Sequence, residues 1–232
     1  QIKGVVEMDY TNNSTDTLTE MYFHYWTNAY KDNSSAFAQE SKLSADNCFI
    51  FANENERGGY KKVAIFQGVD SLKTKAYKGN PDIIYVKLAR PIFPGTTSHF
   101  TLPITELIPK TFSRIGRSMN GYQMTQWYPK PAVYDSEGWH PMPYLDKGEF
   151  YSEFGNYKVS ITLPENYLVA ATGQLEDPAE QQFIANQLNS SKSLVAASSK
   201  EVPIPSSDKV KTIHFTANNV HDFAWFADKG FL

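Results

Sequence analysis

The chain contains little of what usually marks a metal centre, a disulfide framework or a membrane span. Among its 232 residues only Cys48 is a cysteine, so neither an internal disulfide nor a pair of thiolate ligands can form. The five histidines include no pair at the i, i+4 spacing that places two imidazole rings on one helical face. No apolar run approaches the roughly 20 residues needed to cross a bilayer. We therefore expect no metal ligands, no bound cofactor and no transmembrane segment in this chain.

A strong charge of one sign is also missing, and so are the common catalytic motifs. The formal net charge is −3, with acidic and basic residues interspersed, so a phosphate backbone would meet no basic surface and nucleic acid is not an expected partner. The sequence has no HExxH, GxSxG, P-loop or GxGxxG motif. We expect no catalytic residue within the chain itself.

The sequence does contain a series of short alternating runs that are typical of β-strands. The first run, "QIKGVVEMDYTNN", places Val6, Met8 and Tyr10 on one face, so a strand is predicted to begin at residue 2. Similar runs follow at "LTEMYFHYW", "DIIYVKLA", "HFTLPITEL", "YKVSITL", "YLVAATG" and "KTIHFTA". The pattern predicts an all-β, or mainly β, chain with antiparallel and mixed sheets.

Turn and cap signals separate these runs. Residues 94–95 (Pro-Gly) and 164–166 (Pro-Glu-Asn) are turn signals, and we expect each to join two strands that pair as antiparallel neighbours. Ser34 or Ser35 is positioned to cap a short helix over "AFAQESKL". Asp177, followed by a proline, is positioned to start a second helix over "PAEQQFIANQL". One or two short helices are therefore expected beside the sheets.

The domain organisation is predicted from the length and the two ends. A chain of this length is normal for one all-β unit, and no interior linker is long enough to divide it. The final residues, "HDFAWFADKGFL", are aromatic and apolar to the end, which is unusual for a solvated terminus. We expect residues 1–232 to form a single β domain that belongs to a longer protein.

Residues 125–157 combine aromatic, proline and acidic residues, and three functions are compatible with them. Paired carboxylates suit acid–base cleavage of a sugar, with Trp127, Trp139 and Tyr144 as a stacking platform. A non-catalytic, aromatic-lined binding face is the second possibility, and plain packing of the aromatic side chains in a β core is the third. The carboxylates of this stretch are Asp135, Glu137, Asp146, Glu149 and Glu153.

Three quoted segments carry a family resemblance. "GVVEMDYTNNSTDTLTEMYFHYWTNAY", then "TQWYPKPAVYDSEGWHPMPYLDKGEFYSEFGNYKVSITLPENYLVAATGQL", then "NNVHDFAWFADKGF" resemble, in order and spacing, the N-terminal domain of the M1 family of zinc aminopeptidases, in the branch common among Bacteroidetes. The most specific part is residues 125–173. Residues 31–80 and 178–208 match poorly, so nothing is carried over to them.

The resemblance implies a saddle-like β domain that covers a thermolysin-like catalytic domain. In that family the zinc site and the exopeptidase motif lie in the following domain, so the expected partners are the chain's own missing C-terminal catalytic domain and a peptide substrate. Zinc would belong to the parent protein and not to this fragment. The resemblance also implies an exported bacterial protein, periplasmic or membrane-associated.

The same resemblance assigns a substrate contact to residues 125–128. Family members carry a Thr-Gln-Phe-Glu-like stretch here that helps hold the free amino group of the substrate, and it matches Thr125, Gln126, Trp127 and Tyr128. Gln126 and Tyr128 are the predicted substrate-binding residues, and they share a face if this segment is a strand. Tyr128 departs from the family pattern, because a phenol does not carry the charge that a carboxylate offers to an ammonium group.

Two further functions remain open at this level. A catalytically inactive M1-like protein would use the same fold as a scaffold or peptide-binding surface. An unrelated β-sandwich module would bind sugar or protein. The residues that follow Leu232 in the natural protein distinguish the three, because an HExxH motif with a downstream glutamate belongs only to an active peptidase.

Overall fold

A computed structural model describes residues 1–44, 48–191 and 202–230 of the chain. Strands account for 46% of the residues and helices for 12%. Every strand pair within the described ranges is antiparallel. The prediction of a mainly β chain with one or two short helices is confirmed.

The elements follow one another as short strands with few helices between them. The strands are β1 (Ile2–Thr11), β2 (Leu18–His24), β3 (Gly59–Tyr60), β4 (Phe66–Gln67), β5 (Asp70–Ser71), β6 (Thr74–Tyr77), β7 (Asn80–Ile92), β8 (Thr97–Leu107), β9 (Ile115–Arg117), β10 (Gly121–Met124), β11 (Lys130–Pro131), β12 (Val133–Asp135), β13 (Gly138–His140), β14 (Gly155–Pro164), β15 (Leu168–Ala171), β16 (Gln174–Leu175), β17 (Val210–Val220) and β18 (Trp225–Asp228). The helices are a 3-10 helix (Trp26–Tyr30), α1 (Ala36–Leu43) and α2 (Pro178–Ser191).

The contacts of the chain divide it into two compact units. The first unit consists of Gln1–Ser113 and Gln126–Glu153, and the second of Arg114–Thr125 and Phe154–Leu232. The expectation that residues 1–232 act as one domain of a longer protein stays a prediction.

The first unit contains two main sheets that share one hydrophobic core. One sheet has the order β1-β8-β4-β5 with β3 paired to β8, and the other has the order β11-β2-β7-β6. Phe23 of β2 and Phe100 of β8 meet with ring centroids 5.9 Å apart, so side chains of both sheets meet in this core. The fully or largely buried members of the core are Leu18, Met21, Phe23, Tyr25, Tyr60, Ile65, Leu72, Ile84, Val86, Leu88, Ile92, Phe100, Leu102 and Ile104.

The two turn signals were read correctly as turns, but the pairing expected from them was wrong. Residues 94–95 connect β7 to β8, yet β7 pairs with β2 and β6 while β8 pairs with β1, β3 and β4. Residues 164–166 connect β14 to β15, which pair with β17 and β18 respectively. A turn sequence fixes the local reversal of the chain, whereas the choice between pairing and crossing to another sheet depends on which faces must be buried.

Asn12 holds the corner where the chain passes between the two sheets of the first unit. Its side chain is buried, with 1% exposed. The amide nitrogen donates to the carbonyl oxygens of Asp16 (2.7 Å) and Ile92 (3.0 Å). The amide oxygen accepts from the backbone nitrogen (3.0 Å) and the hydroxyl (2.7 Å) of Ser14. One side chain thus ties the β1–β2 connection to the end of β7.

Replacing Asn12 by alanine is therefore expected to lower the free energy of unfolding by about 2–3 kcal/mol, because buried carbonyl groups lose their donors. Urea denaturation of the chain measures the change. Asn13→Ala is the matched control, since Asn13 is exposed and adjacent. Equal decreases in the free energy of unfolding of the two variants would show that the hydrogen bonds of Asn12 do not stabilise the fold.

The second unit contains two smaller sheets and α2. The sheet orders are β15-β18-β10-β9 and β14-β17-β16. Lys211 of β17 donates to Glu180 of α2 at 2.6 Å and lies 4.3 Å from the ring centroid of Phe183, so α2 is held to the sheet by a largely buried ion pair. The helix begins directly after Asp177, as predicted.

The remaining helix predictions concern α1 and membrane spans. Ser35 caps α1, because its hydroxyl accepts a hydrogen bond from the backbone nitrogen of Ala38 at 3.1 Å. Of the predicted pair Ser34 and Ser35, the second is the cap. In the part of the chain that the structure describes, no helix is long and apolar enough to cross a membrane.

Candidate functional site

The predicted substrate-binding residues lie in a bend and not in a strand. β10 ends at Met124, and the backbone of Gln126 has φ = +48°, in the left-handed region that few side chains adopt. The period-two argument that placed Gln126 and Tyr128 on one face therefore does not apply, since it requires extended backbone at both residues. The pairing of β10 with β18 accordingly ends at Met124.

Within the first unit, a buried tyrosine contacts the bend at Trp127. The hydroxyl of Tyr60, itself 2% exposed, donates a short hydrogen bond to the carbonyl oxygen of Trp127. Tyr128 is 8% exposed, whereas Gln126 and Trp127 are half-buried. The ammonium of Lys130 lies 5.6 Å from the ring centroid of Tyr128. The substrate-binding role of Gln126 and Tyr128 stays a prediction.

The second half of the stretch, residues 141–151, has almost no secondary structure and is held by buried side chains of β2, β7 and the 3-10 helix. His24 Nε2 accepts a hydrogen bond from the backbone nitrogen of Met142 at 3.1 Å. Trp26 Nε1 donates to the carbonyl oxygen of Met142 at 3.1 Å. Asp82 Oδ2 accepts from the backbone nitrogen of Tyr144 at 2.6 Å. These contacts replace the ladder hydrogen bonds that an irregular segment lacks.

Burial perturbs the titration of the anchoring groups. Burial, with a smaller contribution from the positive charge of Lys130, lowers the pKa of His24 to about 3. Burial raises the pKa of Asp82 to about 6, against the opposing hydrogen bond from the Tyr144 backbone. His24 is therefore a neutral acceptor at neutral pH, stacked on Trp26 at a centroid distance of 4.4 Å and an interplanar angle of 12°.

The stacking platform considered for Trp127, Trp139 and Tyr144 does not form. Tyr144 is 1% exposed and packs among buried aromatic rings, including Tyr30 at 5.3 Å and Phe37 at 5.6 Å. A ring enclosed in this way offers no face to a sugar. Trp127 and Trp139 are half-buried and pack against the core of the first unit.

The carboxylates of the stretch have different neighbours. Asp135 accepts from the ring nitrogen Nε2 of His140 (2.7 Å), from the hydroxyl of Tyr151 (3.1 Å) and from the backbone nitrogen of Glu137 (2.8 Å). Asp146 instead accepts a short hydrogen bond from the hydroxyl of Ser113. The hydrogen bond from His140 lowers the pKa of Asp135, which is opposite to the shift a general acid of a glycosidase needs.

No metal site appears in the described part of the chain. Within residues 1–44, 48–191 and 202–230, no group of three or more histidine, cysteine, aspartate or glutamate side chains is arranged to hold a metal ion.

Comparison with known proteins gives structural matches only. No protein-family model and no curated protein sequence matches the chain. The chain is similar to the crystal structure of the M1 zinc metallopeptidase from Deinococcus radiodurans, with 11% identity and a TM-score of 0.46 over 97% of this chain and 38% of that one. It is similar to a two-domain M1 zinc metallopeptidase variant bound to L-arginine, with 11% identity and a TM-score of 0.47 over the same shares of the two chains. The chain thus spans about 38% of the length of these structures.

Sequence reasoning missed His24 and Asp82. The alternating pattern assigns His24 to the outer face of β2 and places Asp82 near the start of β7. Both side chains are buried because residues 141–151 cover them. The available signal was the density of aromatic residues on both faces of "MYFHYW", since a strand that is aromatic on both faces is covered on both.

Proposed function

We propose that this chain is the N-terminal, substrate-covering and non-catalytic domain of an M1-like zinc metallo-aminopeptidase. The observation that carries the proposal is the resemblance of residues 125–173 to that domain, in a chain whose fold is mainly β. Its partners are the chain's own C-terminal catalytic domain and a peptide with a free N-terminus. The natural protein is proposed to be bacterial and exported, in the Bacteroidetes-type branch.

The role proposed for residues 126–128 is positioning. Gln126 carries an amide oxygen that can accept a hydrogen bond from a substrate ammonium, and Tyr128 carries a phenol oxygen that can accept one neutral hydrogen bond beside a ring with which a cation interacts favourably. The hydrogen bond from Tyr60 to Trp127 supports this role, because it holds the bend in one conformation before a substrate arrives. The catalytic domain would supply a zinc-activated water, and this chain would supply orientation.

The test is the natural full-length protein compared with residues 1–232 alone. Full-length protein is expected to hydrolyse an aminoacyl-4-nitroanilide and to contain about one zinc per chain, whereas the 232-residue chain shows neither property. Hydrolysis is followed by absorbance and zinc by metal analysis. Full-length protein without peptidase activity, or activity in the shorter chain, would overturn the proposal.

Within the full-length protein, Gln126→Ala is expected to lower kcat/KM for peptides with a free N-terminus. The loss corresponds to about 1–2 kcal/mol of transition-state stabilisation, because one hydrogen bond to a charged amine is lost. Tyr128→Phe should act in the same direction. Zinc content stays unchanged in both. The matched control is Gln174→Ala, which removes the same group from an exposed position on β16.

The selectivity between substrates decides the result. If Gln126→Ala slows free and N-acetylated peptides equally, the residue does not recognise the amine. If Gln174→Ala has as large an effect, the loss comes from general destabilisation and Gln126 has no special role.

A further inference from the structure

The first strand, β1, forms one edge of its sheet. Its ten residues pair in unbroken register with β8, and no other strand in the described ranges pairs with it. Asn12 continues this register, because its backbone nitrogen donates to the carbonyl oxygen of Thr96 at 3.0 Å. Backbone groups alternate in direction along a strand, so the N–H and C=O groups of Lys3, Val5 and Glu7 point away from β8. These groups form an open backbone edge.

The usual protections of a sheet edge are missing from β1. Edge strands are commonly protected from pairing with another chain by shortness, by proline, by a bulge or by charge. In the described part of the chain, the strands that end the other sheets have two to four residues, except β14. β14 has a register shift between Gly155 and Tyr157 and ends at Pro164. β1 is long and regular and has no proline, so only its charges decide what can pair with it.

The apolar side chains of β1 are only partly covered. Ile2, Val6 and Met8 pack against the core of the first unit, yet they are half-buried, whereas Leu102, which pairs with Val6, is 0% exposed. On the opposite face Val5 is 60% exposed. A strand added beside β1 would therefore remove apolar surface from water on both faces of the sheet.

The charges of β1 are complementary to those of a second β1 in one antiparallel register. Lys3 and Glu7 are exposed on either side of Val5, and none of the ion pairs among the described residues includes them. When Val5 lies opposite Val5 of the other copy, each Lys3 lies opposite the other copy's Glu7. On the core-facing side, Ile2 then lies opposite Met8. Apolar and charged positions thus match along the whole contact.

Other registers of the same pair are unfavourable. A shift by one residue would bring the core-facing side chains of one copy onto the solvent face of the other. A shift by two residues in either direction places Val5 opposite a charged residue, Lys3 or Glu7. A shift by four residues places two lysines or two glutamates opposite each other, and like charges directly opposite are destabilising. The sequence of β1 therefore specifies the register centred on Val5.

We propose that β1 docks a second copy of this chain edge to edge, so that the sheet continues across a twofold axis at Val5. Lys3, Val5 and Glu7 of each copy direct their backbone groups to the other strand, which gives about six backbone hydrogen bonds. The interface is isologous, since the same surface of both copies forms it. It extends little beyond one strand, so the dimer is weak and depends on concentration.

The first test is the mass of the 232-residue chain in solution. Sedimentation equilibrium is expected to show a shift from monomer towards dimer between about 10 µM and about 1 mM protein. Added salt is expected to weaken the dimer, because the Lys3–Glu7 pairs lie in solvent. A chain that stays monomeric up to about 1 mM would overturn the proposal.

Charge substitutions locate the interface. Lys3→Glu turns both contacts across the axis into glutamate pairs, and Glu7→Lys turns both into lysine pairs, so each variant is expected to dimerise about tenfold more weakly. An equimolar mixture of the two variants is expected to recover wild-type dimerisation, because every lysine then faces a glutamate. The matched control is Lys158→Glu, which makes the same charge change as Lys3→Glu at an exposed position of the edge strand β14.

The pattern across these variants decides the proposal. Weakening in each single variant, recovery in the mixture and retention in Lys158→Glu support it. Single variants that dimerise like wild type would show that another surface joins the copies, and equal weakening in the control would show an effect of net charge alone. Failure of the mixture to recover would also overturn it. Lys3→Glu with Glu7→Lys in one chain restores both contacts and the net charge, so its dimerisation gives the answer if a single substitution disturbs folding.

Discussion

Replacing Glu106 by glutamine is expected to make the protein more stable above neutral pH, by about 3 kcal/mol near pH 8. Glu106 lies on β8 in phase with the inward-facing Phe100, Leu102 and Ile104, and it is 0% exposed. Burial raises the pKa of its carboxyl from the usual 4.5 to about 8, against a smaller opposing effect of the Thr27 hydroxyl. The folded protein therefore carries a neutral acid where the unfolded chain carries an anion.

The direction of the pH dependence follows from the proton count. Between pH 4.5 and about 8 the folded state holds a proton on Glu106 that the unfolded state has released. Stability from this group is therefore complete below pH 4.5 and is lost as the pH rises through about 8. Glutamine keeps the shape of the side chain and does not ionise, so this loss disappears in the variant.

Urea denaturation from about pH 5 to about pH 9 gives the free energy of unfolding at each pH, and the effect appears as a change in its slope against pH. Glu7→Gln is the matched control, because Glu7 is an exposed glutamate on β1, the strand paired with β8. Parallel profiles for wild type and Glu106→Gln would show that the buried carboxyl does not couple folding to pH.

Local sequence signals predicted the elements of this chain better than their arrangement. Ser35 marks a helix start by a side-chain hydrogen bond that acts over three residues, and Pro178 after Asp177 marks the other by its fixed φ, so both helices were predicted correctly. The turn at residues 94–95 was also correct, yet it joins two different sheets, because pairing depends on faces buried far along the chain. The left-handed backbone of Gln126 was not predictable, since glutamine carries no preference for it.

The candidate site illustrates the same division. The sequence singled out residues 125–157, and the structure shows that their aromatic side chains serve two purposes: Tyr144 fills a core, whereas Trp139 lies half-exposed on a hairpin. Composition cannot separate these roles. They depend on which sheet residues lie beneath, and His24 and Asp82 came from strands more than 50 residues away in the chain.

Replacing His24 by glutamine is expected to remove a loss of stability that occurs in acid, whereas the Glu106 substitution removes one that occurs in base. The pKa of His24 is lowered from the usual 6.5 to about 3, so the unfolded chain binds a proton that the folded state excludes. Stability from His24 is therefore complete above pH 6.5 and is lost as the pH falls towards about 3. Wild type should lose about 3 kcal/mol from this group between neutral pH and about pH 4, and the variant should not.

His24, Glu106 and Asp82 act in opposite directions between about pH 4.5 and pH 6.5. His24 makes stability increase with pH there, whereas Glu106, and Asp82 with its pKa of about 6, make it decrease. The three contributions leave a net fall of about one proton over most of this window, so the wild-type stability should decrease with pH there. His24→Gln should make this fall steeper, and Glu106→Gln should nearly remove it.

Glutamine is chosen at residue 24 because its amide oxygen can accept the hydrogen bond that His24 Nε2 receives from Met142. Some stability is lost at neutral pH, about 1–2 kcal/mol, since the stacking of His24 on Trp26 is removed. His99→Gln is the matched control, as His99 is exposed and hydrogen-bonded to Asp9. Hydrogen exchange at the Met142 amide gives a second readout, because protonated His24 cannot accept its hydrogen bond. If the acid slope of His24→Gln equals that of wild type, and acid does not lower the protection factor of the Met142 amide relative to its intrinsic exchange rate, then His24 does not couple residues 141–151 to pH.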